Sequence, residues 1–243
     1  MNLIVDIGNS RVKAAVADGD DVLVARAFPS LAEADLAGLL DEYPAVGRCI
    51  VSSTGVDADA VIGRLRERGL HVLEMSPSTP VPIGNAYLTP ETLGADRLAA
   101  AVGAVELTGG GDCVIVDFGT AITIDLVTDG VFRGGCISPG LRMRFRALRD
   151  YTSRLPECSP TDIDTEIGRS TREAIEQGVM QGVRYEIEGH ISRLTEKNRG
   201  LSVIFTGGDA KYFVKRIKNT IFANRELVIC GLNRILEYNA KIE

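Results

Sequence analysis

Hydrophobic positions recur along this chain with two different spacings, and their order predicts an α/β fold. In the first half, short apolar or alternating runs predict strands, and apolar residues three and four apart predict helices. The predicted strands cover 2–8, 11–18, 22–28, 48–54 and 71–75, and the predicted helices cover 31–43, 57–69 and 93–107. Ser30 is the expected N-cap of the first helix. Residues 76–92 contain four prolines, which predicts a long loop of the kind that often carries function.

The second half repeats the opening pattern and then adds a long helix. Its predicted strands cover 113–119, 121–129, 131–138 and 201–207, with a short strand near 226–230. Its predicted helices cover 170–197, a stretch from about Asp209, and 231–238.

The stretch LIVDIGNSRVKAAVADG at 3–19 returns as VIVDFGTAITIDLVTDG at 114–130. Asp6 aligns with Asp117, Asn9 with Thr120 and Lys13 with Ile124, each 111 residues later. This match predicts a duplicated strand–turn–strand unit and two domains, 1–111 and 112–243. Two unrelated hairpins with glycine turns are the alternative.

Charge and cysteine content restrict the class of protein. The net charge is −6 and the isoelectric point is ≈ 5.1, which argues against a nucleic-acid partner or an anionic membrane surface. No apolar run is long enough to span a membrane, and no targeting segment is recognisable. The five cysteines form no Cys-x-x-Cys pair, so buried, reduced thiols and a cytoplasmic location are expected.

The repeated Asp-x-Gly turn can bind phosphate. A glycine corner lets a ligand approach the backbone closely, and backbone N–H groups there can cradle phosphate oxygens. An acid just before the turn can hold Mg²⁺ directly or through water. Two such turns could clamp a triphosphate from both sides, and a third glycine turn at 205–210 could approach the same nucleotide.

Several motifs together resemble type III pantothenate kinase, within the acetate and sugar kinase, Hsp70 and actin superfamily. They are DIGNSRVK at 6–13, TLGADRLAA at 92–100, VDFGTAITID at 116–125, GGCISPGL at 134–141 and STREAIEQG at 170–178. The resemblance implies two duplicated ribonuclease-H-like domains, with mixed sheets flanked by helices and ATP in a cleft between them. It also implies phosphorylation of pantothenate by ATP. Another small-molecule kinase of the superfamily and a non-enzymatic ATP-binding regulator are the alternatives.

The resemblance also implies a role for each matching residue. ATP would contact Asp6, Ile7, Gly8, Asn9, Ser10, Arg11, Val12, Lys13 and Thr120. Pantothenate would contact Tyr87, Gly94, Ala95, Asp96, Arg97 and Thr171, with Asp96 as the catalytic base. Asp6 would hold Mg²⁺ through water, and Asp117 would bind a monovalent cation, K⁺ or NH₄⁺. From spacing alone, Asp96 could instead complement a helix dipole and Arg97 could be a surface arginine.

Two features of the second half leave alternatives open. The basic segment GLRMRFRAL at 140–148 predicts a solvated helix face, and the roles of Arg142, Arg144 and Arg146 stay open. Apolar residues recur along the helix from 170 to 197, which fits either a homodimer interface or the core of its own domain. The resemblance favours the homodimer. The stripe comprises Ala174, Ile175, Val179, Val183, Ile187, Ile191 and Leu194.

Overall fold

The computed structural model describes residues 1–54, 58–217, 222–224 and 226–242. The strands are β1 Asn2–Ile7, β2 Val12–Asp18, β3 Asp21–Phe28, β4 Arg48–Ser53, β5 His71–Glu74, β6 Gly84–Asn85, β7 Cys113–Phe118, β8 Ala121–Thr128, β9 Val131–Pro139, β10 Ser202–Thr206 and β11 Phe222–Ala223. The α-helices are α1 Glu33–Glu42, α2 Asp59–Glu67, α3 Ala95–Leu107, α4 Leu141–Asp150, α5 Thr171–Lys197 and α6 Leu227–Asn239. Two 3₁₀ helices cover Pro90–Thr92 and Ala210–Tyr212.

The chain forms two compact units. The first contains Met1–Gly110, Gly130–Arg133 and Glu226–Glu243, and the second contains Gly111–Asp129 and Gly134–Arg225. The predicted boundary at 111/112 assigns the last 18 residues to the second domain, whereas α6 packs within the first unit.

The first unit is built on a five-stranded mixed sheet in the order β3-β2-β1-β4-β5. β1 pairs with β2 antiparallel and with β4 parallel. Its position at the centre of the sheet explains why β1 reads as a nearly continuous apolar run, because both of its faces are covered. Leu3, Ile4 and Val5 are fully buried.

The second unit repeats this arrangement in the order β11-β10-β7-β8-β9. β7 pairs antiparallel with β8 and parallel with β10. β6 pairs with Val131 and Phe132, the part of β9 that belongs to the first unit. The stripe along α5 lies in the core of its own unit from Ile175 to Ile191, Leu194 is partly buried and Ala174 is exposed. The stripe therefore does not by itself argue for a dimer.

Four local predictions are wrong. Residues 227–230 form the first turn of α6, not a strand, and the short strand is β11. The segment after Asp209 forms only a 3₁₀ turn. The first helix is capped at Ala32, whose N–H donates to the Asp35 carboxylate at 3.0 Å, so Ser30 is not the cap. Cys136 is exposed, unlike the buried Cys49, Cys113 and Cys158.

Two short elements, β6 and the 3₁₀ helix Pro90–Thr92, lie within the segment 76–92 that is predicted as a loop, and the other elements follow the predictions closely. The predicted start of the second helix, Asp57, lies outside the described residues. No helix among the residues that the structure describes is both long and apolar enough to cross a membrane.

Candidate active site

The first repeated turn joins β1 to β2 and is closed by its own backbone. The Gly8 N–H donates to the Arg11 carbonyl at 3.1 Å, so this amide is used within the turn. The side chains of Asn9, Ser10 and Arg11 are exposed, whereas those of Ile7 and Val12 are buried in the core. Ile7 and Val12 can therefore meet a ligand only through their backbone.

Asp6 lies at the end of β1, opposite Lys13 on β2. Burial and the negative charges of Asp96 and Glu226, opposed by the positive charge of Lys13, together raise the pKa of its carboxyl to about 6. Its Oδ1 atom is buried and has no hydrogen-bond partner among the described residues. A buried carboxylate oxygen without a donor is costly, because it has lost its water. Asp6 is thus suited to a ligand that brings positive charge or hydrogen-bond donors.

Glu226 is a charged neighbour that the sequence reasoning missed. Its Oε2 lies 3.4 Å from the Lys13 Nζ. Residues 226–230 were predicted as a strand, but Glu226 is the N-cap position of α6, which brings it close to β2. The only signal that could have located it is the helical spacing of the apolar residues that follow.

Asp96 lies in the first turn of α3, and its charge acts on Asp6. Its Oδ1 accepts a hydrogen bond from the Arg97 N–H at 2.9 Å. A Cβ atom at position 94 would lie 2.5 Å from the same Oδ1, which explains the glycine directly before Ala95. The carboxylate thus lies in the first turn of α3, where it complements the helix dipole as the alternative held, and its charge also acts on Asp6.

Arg97 is buried between two aromatic rings and is not a surface arginine. Only 6% of the residue is exposed. Its guanidinium carbon lies 5.5 Å from the Tyr87 ring centroid and 5.7 Å from that of Phe132. Pairing of β6 with β9 brings the segment that carries Tyr87 to Phe132, and cation–π attraction favours this arrangement. The structure therefore brings together two predicted substrate residues that are ten positions apart.

The second repeated turn is surrounded by two further glycine segments. Gly207 has φ +91°, and a Cβ there would lie 2.4 Å from Asp117 Oδ1. The Gly140 N–H donates to the Thr120 carbonyl at 3.1 Å. Asp117 is half-buried and Thr120 is exposed. The predicted third glycine turn thus lies directly against Asp117, in the same unit.

Cross-strand register shows that the second turn is one residue shorter than the first. Asp6 lies opposite Lys13, whereas Asp117 lies opposite Thr123. The structural counterpart of Lys13 is therefore Thr123, and the predicted counterpart, Ile124, is wrong. Thr123 is uncharged too, so the second turn still lacks the cation that the first turn has.

Thr171 lies in the first turn of α5, in the second unit. It lines an apolar groove of about 820 Å³ between α4 and α5, together with Leu148, Tyr151, Leu155 and Ala174. Tyr151 is 89% exposed at this groove.

Sequence comparison decides the family. The family model for type III pantothenate kinase matches residues 2–193, more than half of the chain. A type III pantothenate kinase from Phocaeicola vulgatus is 43% identical over 244 residues, covering 100% of both chains. The chain belongs to the type III pantothenate kinase family. The GADR and DFGTA motifs had predicted the same family, so this prediction is confirmed.

Solved structures support the fold of this type III pantothenate kinase family member. A conserved protein from Campylobacter jejuni described as a Baf family transcriptional activator has a TM-score of 0.62 and 20% identity, covering 98% of this chain and 99% of that one. The ROK hexokinase of Thermus thermophilus has a TM-score of 0.53 and 14% identity, with the same coverage. At these identities the likeness concerns the fold alone. The predicted duplicated ribonuclease-H-like fold is confirmed, and the ATP cleft stays a prediction.

Proposed function

We propose that this protein phosphorylates the hydroxyl group of pantothenate with ATP, the first step towards coenzyme A. Family membership over the whole chain supports this assignment. The observation that carries this assignment is the position of Asp96 and Arg97 side by side at the start of α3. Asp96 is close enough to Asp6 for its negative charge to raise the pKa of Asp6. Phosphoryl transfer needs charge neutralisation, positioning and an acceptor for the hydroxyl proton.

The residues of α3 supply two of these needs. Asp96 would accept the proton of the pantothenate hydroxyl, since its carboxylate is only partly buried and is oriented by the Arg97 N–H. The buried Arg97 would bind the carboxylate of pantothenate, with Tyr87 packed on its guanidinium. Gly94 and Ala95 would let the substrate approach the helix start.

The assay that tests this function measures ADP release and product mass with ATP, Mg²⁺ and a set of alcohols. We expect a phosphorylated product with pantothenate and much less with sugars or other hydroxy acids. Preferred phosphorylation of a sugar would instead identify another kinase of the superfamily. ATP binding without any phosphorylated product would identify a regulator.

Mg²⁺ binding near Asp6 forms part of the proposal. Its orphaned, buried Oδ1 fits the second coordination sphere of Mg²⁺, because metal-bound water would donate to it. The ion would neutralise phosphate charge. Among the described residues there is no group of three or more His, Cys, Asp or Glu that could hold a metal ion. In Asp6→Asn, the Mg²⁺ concentration required for half-maximal activity would rise.

A monovalent cation at Asp117 completes the proposed site. Thr120 would contact the phosphates of ATP, and the negative charge of Asp117 close to them would repel them by a few kcal/mol at an effective dielectric of ~20. A bound K⁺ or NH₄⁺ would remove that repulsion, because the opposing strand offers Thr123 and no lysine. At fixed Mg²⁺ and ionic strength we expect K⁺ to activate and Na⁺ to do so poorly. Asp117→Asn would lose this difference, and equal rates in both salts for the wild type would exclude a selective site.

A homodimer in the cytoplasm is the proposed working form. The stripe on α5 is used within its unit, so the support lies elsewhere. Thr171, a proposed pantothenate contact, lies on the apolar groove between α4 and α5, and the exposed Tyr151 lines the same groove. A second subunit that covered this groove would bury Thr171 and Tyr151 next to the bound pantothenate.

A further inference from the structure

Arg144 connects three elements of the second unit. Its Nε donates to the Pro139 carbonyl at 2.7 Å, and its Nη2 donates to Ser138 Oγ at 3.2 Å. Nη2 also donates to Glu186 Oε2 on α5 at 2.5 Å. Ser138 Oγ in turn donates to Glu186 Oε1 at 2.5 Å. The end of β9, α4 and α5 are thus joined through one guanidinium.

The positive charge of Arg144 and the negative charge of Glu186 stabilise each other in this network. Burial alone would raise the pKa of the Glu186 carboxyl, but the hydrogen bonds from Ser138 and Arg144 and the charges of Arg144 and His190 lower it below its ordinary value. The charge-assisted hydrogen bond from Arg144 Nη2 to Glu186 Oε2 is stronger than a neutral one. The second bond, from Ser138 to Glu186 Oε1, fixes the orientation of the carboxylate. Both side chains are largely buried, with 22% of Arg144 and 24% of Glu186 exposed. This differs from the solvated helix face predicted for Arg144.

The network continues into the second phosphate turn through Gly140. This glycine follows Pro139 directly and donates its N–H to the Thr120 carbonyl. A Cβ atom on Gly140 would lie 2.4 Å from the Thr120 carbonyl oxygen and 2.5 Å from that of Gly119. The position of residues 138–140 therefore decides where the Gly119–Thr120 turn can lie.

The other end of the network is anchored in the core. Leu141 and Phe145 of α4 are buried, as is Ile187 of α5, next to Glu186 in the chain. Arg144 thus connects α4 and α5, which are fixed in the core, to the segment next to the exposed Gly119–Thr120 turn.

We propose that Arg144 and Glu186, with Ser138, are positioning residues for the Gly119–Thr120 turn and thereby set the affinity for ATP. They would act through Pro139 and Gly140 without touching the nucleotide. This inference rests on the proposed function for Thr120 as an ATP contact.

The test compares Arg144→Met with Arg146→Met. Methionine replaces the apolar part of the arginine side chain but removes the guanidinium and its donors, and Arg146 is exposed on the same helix. In Arg144→Met we expect KM for ATP to rise about tenfold, equivalent to ~1.4 kcal/mol of binding free energy. Arg144 also lines the α4–α5 groove, so KM for pantothenate is measured in the same variant and would rise less than KM for ATP. Arg144→Lys would restore part of the ATP affinity, and Arg146→Met would behave as wild type.

Amide hydrogen exchange of Gly140 gives a second readout that does not need the reaction. We expect faster exchange in Arg144→Met than in Arg146→Met, because the Gly140–Thr120 hydrogen bond loses its support. If Arg144→Met does not fold, Glu186→Gln and Ser138→Ala provide milder changes with the same expected direction. Unchanged Gly140 exchange, or equal rises in both KM values, would overturn the inference. A wild type that binds ATP without phosphorylating pantothenate would refute the proposed function alone, since exchange and ATP affinity still report on the network.

Discussion

Asp6 and Asp96 are carboxylates on different elements of one unit that interact through their charges. Asp6 is buried at the end of a central strand, whereas Asp96 is partly exposed at the start of a helix. In the proposed mechanism the same residue type would serve two purposes: the buried carboxylate of Asp6 would face positive charge, and the accessible carboxylate of Asp96 would accept a proton. Two predictions at this scale separate these purposes.

Asp96→Asn tests proton transfer. Asparagine keeps the size of the side chain and its oxygen can still accept from the Arg97 N–H, so folding would survive. We expect turnover to fall by ~10²–10⁴-fold, the usual contribution of general base catalysis. Glu91→Gln is the matched control, since Glu91 is an exposed acid just before α3. Near-normal turnover in Asp96→Asn, with thermal melting unchanged, would remove Asp96 from the mechanism.

Asp6→Asn tests the buried charge through pH-dependent stability, measured without Mg²⁺ or nucleotide. The folded-state pKa of Asp6 is about 6, above the ordinary 3.8. Well below pH 3.8 the carboxyl is protonated in both the folded and the unfolded chain, so it does not change the stability. As the pH rises towards 6, the unfolded chain loses its proton more readily, so the wild type loses stability, by up to about 3 kcal/mol.

Asparagine has no such proton to lose. We therefore expect the melting temperature of Asp6→Asn to exceed that of the wild type at pH 7.5 by more than at pH 4. Asp41→Asn, at an exposed position on α1, is the control. An equal difference between Asp6→Asn and wild type at both pH values would contradict a raised pKa.

At the scale of elements, α3 is held in place by close packing against α6. A Cβ on Gly231 would lie 1.8 Å from the Ala99 carbonyl oxygen, and one on Gly103 would lie 2.4 Å from that of Leu227. The backbones of the two helices thus approach each other where side chains would keep them apart. Because Asp96 and Arg97 lie in the first turn of α3, this contact also positions the proposed acceptor site.

Gly231→Ala tests this contact. Although alanine favours helix, the methyl group would overlap backbone, and overpacking typically costs about 1–3 kcal/mol. We expect a loss of unfolding free energy of that size in a denaturant titration. Gly189→Ala is the matched control in α5, where a Cβ meets nothing within 4 Å, and it would stabilise by up to about 1 kcal/mol. A Gly231→Ala protein as stable as Gly189→Ala would show that the helices can separate at no cost.

At the scale of the whole molecule, the apolar groove on the second unit is the place where a second subunit would act. Ala174 and Tyr151 line it and are exposed. Apolar surface of this kind is commonly covered by a partner. We expect light scattering at micromolar concentration to give the mass of a dimer.

Ala174→Lys would place a charge in the groove and shift the protein towards monomer, with weaker pantothenate binding. Ser192→Lys, at an exposed position on the same helix, would remain dimeric. A fully active wild-type monomer would refute the dimer.

Local patterns in the sequence determined most of the secondary structure. Apolar runs and the two copies of Asp-x-Gly are local signals, so they located both ends of β1, β2, β7 and β8 within one residue. The GADR and DFGTA motifs indicated the family. Ser170 was also positioned by local pattern, and its Oγ accepts from the Glu173 N–H at the start of α5. Each of these features depends on residues close together in the chain.

The tertiary structure decided what residues distant in sequence do together. The burial of Arg97 between Tyr87 and Phe132 depends on β6 pairing with β9. Glu226 reaches Lys13 only because α6 packs in the first unit, 213 positions along the chain. Periodicity could not tell the first turn of α6 from a strand, since its apolar run is short. The basic segment around Arg144 likewise predicts a surface position for it. Only the fold places Glu186 opposite Arg144, because two residues 42 positions apart leave no local signal of their contact.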